Sequence, residues 1–339
     1  PEPISPGTEL SSPPFSQQSS EDLPNGSCLL LPQPQGHVLL VLQPRLLGPL
    51  AEVAGSAHRR ARASAQTSLH VPYGKGDREK LDIYFPTDHS GTFPVLVYIH
   101  GGYWQCLSKD ESGFAAPPLV SQGVAVVAVG YDTAPRGHMD TMVLQVCRSL
   151  AFLVEQYPEI RGIYLCGHSA GAHLAAMVLF TDWTEFHVVP DIKGAVLVSG
   201  VYDLEPILHT YVNDALNMSR EVAQRNSPMR HVAPAVPAAC EVLVVVAQHD
   251  SPEFRRQSQE YTGWSVSLLD LAGVDHFDVI EKLSENSYIL TQVGRRAVLR
   301  QIRWVQGWLS PPCGEERGQL LLTGLGSSSQ VILNMISRA

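Results

Sequence analysis

Residues 162–181 read GIYLCGHSAGAHLAAMVLFT, from Gly162 to Thr181. The stretch opens with an apolar β-prone run, Ile163-Tyr164-Leu165-Cys166, breaks at Gly167, and resumes as a helix pattern rich in Ala and Leu. Between the two lies Gly167-His168-Ser169-Ala170-Gly171, a G-x-S-x-G pentapeptide. Wedged between a buried strand and a small-residue helix, this pattern predicts a strained strand-to-helix turn. Such a turn lifts Ser169 Oγ to the carboxyl edge of a sheet. A Cβ at either glycine would collide with the neighbouring strand and helix. The Ala170 backbone N–H then stands at a helix N-terminus, where it can face a developing oxyanion. The rival reading, Ser169 as an ordinary N-cap serine, is the minor one because glycine flanks it on both sides.

The segments around this turn alternate. Ser68–Tyr73 and Leu81–Phe85 read as strands of an antiparallel hairpin across Gly74-Lys75-Gly76-Asp77. Val95–Ile99 and Val124–Val129 are continuous apolar runs, as parallel strands buried on both faces require. Asp140–Tyr157 has the period of an amphipathic helix, with Met142, Val143, Val146, Leu150 and Leu153 on one stripe. Ala195–Val198, Val242–Ala247 and Val266–Leu271 complete the strand series. Alternation of strands and helices predicts an α/β fold with a mostly parallel sheet and a ligand site at the carboxyl ends of the strands. Residues 204–237 read as a small helical cap over that site. Residues 1–45, rich in Pro, Ser and Gln, read as a disordered or weakly ordered extension. A helix is expected over Leu50–Ala65, with Arg59, Arg60 and Arg62 on a solvated face, and another from Asn286 to about Leu309. The main domain thus spans 46–309, and 310–339 reads as a Gly/Ser-rich tail.

The 339 residues are 44% hydrophobic, enough for a substantial core, and their net charge of −9 argues against a nucleic-acid partner. The N-terminal apolar runs are cut by Pro32, Pro34, Pro44 and Pro49 and lack a basic flank, so they read neither as a signal peptide nor as a membrane span. The six cysteines are scattered without a C-x-x-C, which reads as reduced thiols. No metal-ligand spacing or phosphate-binding glycine loop is present, so neither a metal nor a cofactor is implied.

A serine nucleophile needs a base, and the base needs a carboxylate to orient it. Asp250 follows the strand Val242–Ala247, and His276 follows Val266–Leu271. The order Ser169…Asp250…His276, each after its own strand, is that of the α/β-hydrolases. Asp203, after Ala195–Val198, is the rival acid, and is read instead as a cap for the following helix. His249, His168 and His173 are rival bases. His249 adjoins Asp250, His168 is expected to point away from the base, and His173 lies down the elbow helix as a packed or solvated residue. Asp275 reads as a surface charge of the loop. His100-Gly101-Gly102-Tyr103-Trp104 follows Val95–Ile99, where an oxyanion loop belongs. Gly102, with Gly101 or Tyr103, would offer backbone N–H groups, His100 would hold the loop through side-chain hydrogen bonds, and Tyr103 and Trp104 read as core or as pocket wall.

These motifs resemble the kynurenine formamidases (arylformamidases) of the α/β-hydrolase superfamily. The resemblance rests on His100–Trp104, Gly167–His173, Ser199–Leu204, Arg225-Asn226-Ser227-Pro228, Asp250–Phe254 and Val274–Phe277, and covers about Ala54 to Val293. It implies hydrolysis of N-formyl-L-kynurenine to L-kynurenine and formate by a cofactor-free, cytosolic and also nuclear homodimer. It also implies Ser169 as nucleophile, Asp250 as acid and His276 as base. The alternatives are a broad carboxylesterase of the hormone-sensitive-lipase type and an inactive chain acting as a binding partner. Between Glu260 and Trp264 the chain reads as several residues shorter than the family.

Overall fold

The computed structural model describes residue 59 and residues 61–63, 66–87, 91–231, 240–262 and 267–292. Eight strands form one sheet in the order β1-β2-β4-β3-β5-β6-β7-β8. They are β1 (Thr67–Pro72), β2 (Lys80–Tyr84), β3 (Phe93–Ile99), β4 (Ala125–Val129), β5 (Ile160–His168), β6 (Ile192–Val198), β7 (Glu241–Ala247) and β8 (Ser267–Leu271). β1 and β2 form the antiparallel hairpin, β2 also pairs antiparallel with β4, and every pairing from β4 to β8 is parallel.

The continuous apolar runs are explained by two cores, one on each face. Along β3, Val95, Val97 and Ile99 enter one core, while Leu96 and Tyr98 enter the other. The first core is closed by the helix Met139–Gln156, through Met142, Val146, Leu150 and Leu153, and by the elbow helix Ala170–Val178. The second is closed by Ala116, Leu119 and Val120 of the short helix Ala116–Val120 and by Val279, Ile280 and Leu283. Period-2 side chains buried on both sides leave no polar face, so the strands carry none. β5 lies at the centre of the parallel array, which puts the pentapeptide in the middle of the carboxyl edge.

The described part of the segment read as a cap holds four short turns: Glu205–His209, Val212–Leu216, Arg220–Arg225 and Pro228–Arg230. Asp203 Oδ1 accepts the Glu205 N–H at 3.1 Å, two residues on, while the N-cap position of that turn is Leu204 and carries no side-chain cap. The helix expected from Asn286 begins at Ile289 and is described to Gln292. Outside the described residues lie the rest of that helix, the 1–45 extension, the 310–339 tail, the 232–237 end of the cap and most of the Leu50–Ala65 helix. Among the described residues no helix is long and apolar enough to cross a membrane.

Candidate active site

β5 ends at His168, and Ser169 adopts φ 55° and ψ −118° before the helix starts at Ala170. A non-glycine residue with positive φ is strained by roughly 1–3 kcal/mol and persists only where its surroundings over-determine it. Here they do. Ser169 N donates to Val198 O at 2.8 Å, and Ser169 O accepts the Ala172 N–H at 3.0 Å. The helix also runs hard against β3. A Cβ on Gly171 would lie 2.0 Å from Ile99 O, and one on Gly167 would lie 2.2 Å from Gly171 O. Both glycines are required by close backbone approach, as the pattern predicted.

Asp250 sits just past β7 and accepts three hydrogen bonds. His276 Nδ1 donates to Oδ1 at 2.6 Å, while Ser199 Oγ and Ala247 N donate to Oδ2 at 2.6 and 2.8 Å. Burial pushes its carboxyl up, but the bonds from His276, Ser199 and Ala247 outweigh that and hold it below the ordinary carboxylate range. With Nδ1–H committed to Asp250, His276 is left with a bare Nε2 lone pair, the state a general base needs. The imidazole is buried among His168, Phe254 and Phe277, with ring centroids 4.7, 4.7 and 5.4 Å away. The connection that reads as short between Glu260 and Trp264 therefore still delivers His276 to its carboxylate.

His168 departs from its expected position. Its ring lies against His276 rather than pointing away, and its Nε2 donates to the His276 carbonyl oxygen at 2.7 Å. The reason is that the loop after β8 folds back over the end of β5, and this buried imidazole is its anchor. His249 is exposed in the loop after β7, and Asp203 turns to the Glu205 N–H, so neither enters the cluster. Asp275 is exposed, and its Oδ1 accepts the N–H groups of Phe277 and Asp278, so it shapes the turn behind His276. Sequence reasoning missed Ser199. Its hydroxyl reaches Asp250 from 51 positions away, with φ 48° as the only local peculiarity. Two signals were available, its place directly after a strand that neighbours the acid-bearing one and its membership of the Ser199–Leu204 motif, and neither gave it a role.

The loop after β3 stands beside the elbow. A side chain on Gly101 would meet His168 O at 2.7 Å and Ser169 Cβ at 3.2 Å. Gly102, Tyr103 and Trp104 have φ of 96°, 48° and 59°, a left-handed run. Neither Gly102 nor Ala170 uses its N–H in any of the described hydrogen bonds, and both residues are buried. The His100 ring bonds its neighbour, Nδ1 to Gly101 O at 2.9 Å, and stacks on Tyr131 with centroids 4.2 Å apart, while the His100 carbonyl accepts the Tyr131 hydroxyl at 2.8 Å. Stacking as well as hydrogen bonding thus holds the loop. Trp104 is fully buried and belongs to the core, while the Tyr103 hydroxyl is buried without a partner among the described residues. Among the described residues, His70, Asp82 and Asp110 lie close enough to share an ion. The Lys109 ammonium already stands among them, 2.9 Å from Asp82 Oδ1 and 2.6 Å from Asp110 Oδ1.

Three buried imidazoles surround this site. Burial pushes His100 and His173 down to about 4, and burial together with the neighbouring His276 pushes His168 down to about 3. In the unfolded chain the same groups titrate near 6.5. Between those values the unfolded state binds protons that the folded state refuses, so stability is complete above about pH 6.5 and falls as the pH drops towards 4. Each histidine contributes a slope of about 1.4 kcal/mol per pH unit. Urea midpoints at pH 7, 5.5 and 4.5 are expected to fall steeply over this window; a flat profile would show that the three rings are not buried neutral.

The chain can be set beside known proteins on this geometry. Residues 81–264 match the BD-FAE family. The kynurenine formamidase of Danio rerio is 56% identical over 246 residues, covering 70% of this chain and 84% of that one. The kynurenine formamidase of Salmo salar is 57% identical over 243 residues, covering 69% and 83%. A solved Silicibacter structure, assigned as a thioesterase, superposes with a TM-score of 0.64 at 28% identity over 73% of this chain and 92% of its own. An esterase of Pyrobaculum calidifontis, 17% identical with a TM-score of 0.58 over 76% of this chain and 94% of its own, shares the fold.

Proposed function

The chain belongs to the kynurenine formamidase family, and from that premise we infer that it is an arylformamidase, hydrolysing N-formyl-L-kynurenine to L-kynurenine and formate. The observation that carries the reading is 56–57% identity to two kynurenine formamidases over more than four-fifths of their length. The site supports it. Ser169 is the nucleophile, His276 the base and Asp250 the carboxylate that fixes the His276 tautomer. His276 Nε2 takes the hydroxyl proton as Oγ attacks the formyl carbon. The N–H groups of Gly102 and Ala170 receive the oxyanion, a contribution of about 3 kcal/mol per donor. Collapse of the tetrahedral adduct breaks the C–N bond, and His276 returns the proton to the departing aryl amine. Water, deprotonated by His276, then attacks the formyl-serine ester, releasing formate and the free Ser169 hydroxyl. The acyl side needs room only for hydrogen, while the amine side must take an aromatic ring. The same reading includes a homodimer and a cytosolic, also nuclear, location, both on the resemblance alone.

The test is turnover of N-formyl-L-kynurenine beside p-nitrophenyl butyrate by the purified chain. We expect kcat/KM for the formamide to exceed that for the ester by at least about tenfold, since selectivity lies in differential transition-state binding. The reverse preference would favour the carboxylesterase alternative. No turnover of either, with no labelling by a fluorophosphonate, would favour the inactive binding partner.

A further inference from the structure

The left-handed run Gly102-Tyr103-Trp104 poses a physical question. Two of its residues carry side chains, and non-glycine residues at positive φ need external support. Part of that support is local. Gly102 O accepts the N–H groups of Gln105 and Cys106 at 2.9 and 3.1 Å, and Trp104 O accepts Ala134 N at 2.8 Å. The rest comes from the elbow helix. Trp104 Nε1 donates to His173 Nδ1 at 3.2 Å, and the rings meet edge to face with centroids 5.1 Å apart. Because Nδ1 is an acceptor, Nε2 must carry the proton, and it donates to Asn226 O at 2.6 Å. Asn226 belongs to the cap, and its own amide donates to Asp140 Oδ1 at 2.8 Å. The three residues are buried, Trp104 and His173 completely. A second tie runs alongside, from Gln105 Nε2 to Val212 O at 2.9 Å.

We propose that His173 is a positioning residue for catalysis: it holds the oxyanion loop through Trp104 with one ring nitrogen and registers the cap through Asn226 with the other. The proposal rests on the serine-hydrolase reading of the site. His173 touches no reacting atom. It acts on the rate through the loop that carries Gly102, and on substrate binding through the cap. Its imidazole stays neutral at working pH because burial pushes it down to about 4. The ring is therefore a fixed donor–acceptor pair rather than a proton carrier, and the two links can be cut separately. In His173→Asn the amide oxygen takes the place of Nδ1 and keeps the Trp104 link while losing the cap. In His173→Gln the longer amide reaches the place of Nε2 and keeps the cap link while losing Trp104. His173→Phe loses both.

The experiment measures kcat and KM of the four proteins on N-formyl-L-kynurenine and on p-nitrophenyl acetate, with rates normalised to folded protein from circular dichroism. The rate of fluorophosphonate labelling is followed in parallel, because it reports the same hole without turnover. We expect His173→Phe to lose about 10- to 100-fold in kcat on both substrates, a fraction of what deleting an oxyanion donor costs. His173→Gln should lose kcat at nearly unchanged KM. His173→Asn should keep kcat within about threefold and raise KM for N-formyl-L-kynurenine alone. If His173→Phe does not fold, the Asn and Gln variants decide the matter. Equal losses in those two, or a folded Phe variant with wild-type kcat, would overturn the proposal. Wild-type turnover of the ester but not the formamide would sink the formamidase reading and leave the His173 comparison intact on the ester. A wild-type chain that neither turns over the ester nor takes the label overturns both.

Discussion

Ser169→Ala is expected to abolish hydrolysis of N-formyl-L-kynurenine, with kcat down by about a millionfold, the scale on which loss of a serine nucleophile acts when base and carboxylate remain. The protein should stay folded. Alanine keeps the Cβ that already tolerates φ 55°, so the strain at the elbow is unchanged. The hydroxyl makes no hydrogen bond among the described residues, so its removal leaves no orphaned partner. Its residue is only 3% exposed, and replacing a hydroxyl that bonds no described residue by hydrogen is neutral or slightly favourable. Activity assays paired with thermal melts check this. A melting temperature equal to or above wild type, together with lost turnover and lost fluorophosphonate labelling, is the expected pair. Turnover within tenfold of wild type would remove Ser169 from the mechanism.

The strand framework was legible because its physics is local. Every strand in the parallel array contains a run of β-branched or apolar residues, and the structure moves the ends read from those runs by at most three positions. β5 extends from Ile160 to His168 where the apolar signal covers only Ile163–Cys166, because Gly162, Gly167 and His168 join the ladder without looking like strand residues. Ala116–Val120 was illegible because it reads APPLV, and prolines in the first turn of a helix resemble a loop. Pro252–Tyr261 turns polar groups inward: Gln257 and Ser258 are buried with Phe254 and Tyr261. Gln257 has a reason to be there, since its Oε1 accepts the Tyr202 and Asp203 N–H groups at 2.7 and 2.9 Å and so braces the turn after Ser199.

At the site, chain order alone placed Ser169, Asp250 and His276 after three strands, because a parallel sheet brings all its carboxyl ends to one edge. What chain order cannot show is which side chains then meet. His168 bonds a residue 108 positions away, His173 one 53 positions away, and Ser199 one 51 positions away. Their residue types are compatible with solvent, core or site, and only the folded edge chooses among them. Trp104 was ambiguous for the same reason. Its place beside the hole reads as pocket wall, yet its indole N–H turns inward to His173.

Asp250→Asn separates geometry from charge and is expected to cost about 10⁴-fold in kcat with little change in KM. Asp250 accepts bonds only, from His276 Nδ1, Ser199 Oγ and Ala247 N. An amide of the same shape has one accepting oxygen and one donating nitrogen. If the oxygen faces Ser199 and Ala247, the NH₂ faces His276 and requires a bare Nδ1, which moves the imidazole proton to Nε2 and leaves the proposed base without the lone pair it needs. If the oxygen faces His276, the NH₂ opposes the Ala247 N–H, and a buried donor loses its acceptor. The first arrangement keeps more bonds and should dominate, so the variant folds with an intact pocket and the wrong tautomer. Ser199→Ala is the milder neighbour: it removes one of the three donors, worth roughly 1.5–3 kcal/mol when the acceptor is charged, and leaves the tautomer alone. A nitrogen-15 spectrum of His276 checks the order of events, with the proton on Nδ1 in wild type and Ser199→Ala and on Nε2 in Asp250→Asn. Full activity in Asp250→Asn would mean that His276 takes its orientation from His168 and the β8 loop instead, and that the carboxylate is dispensable.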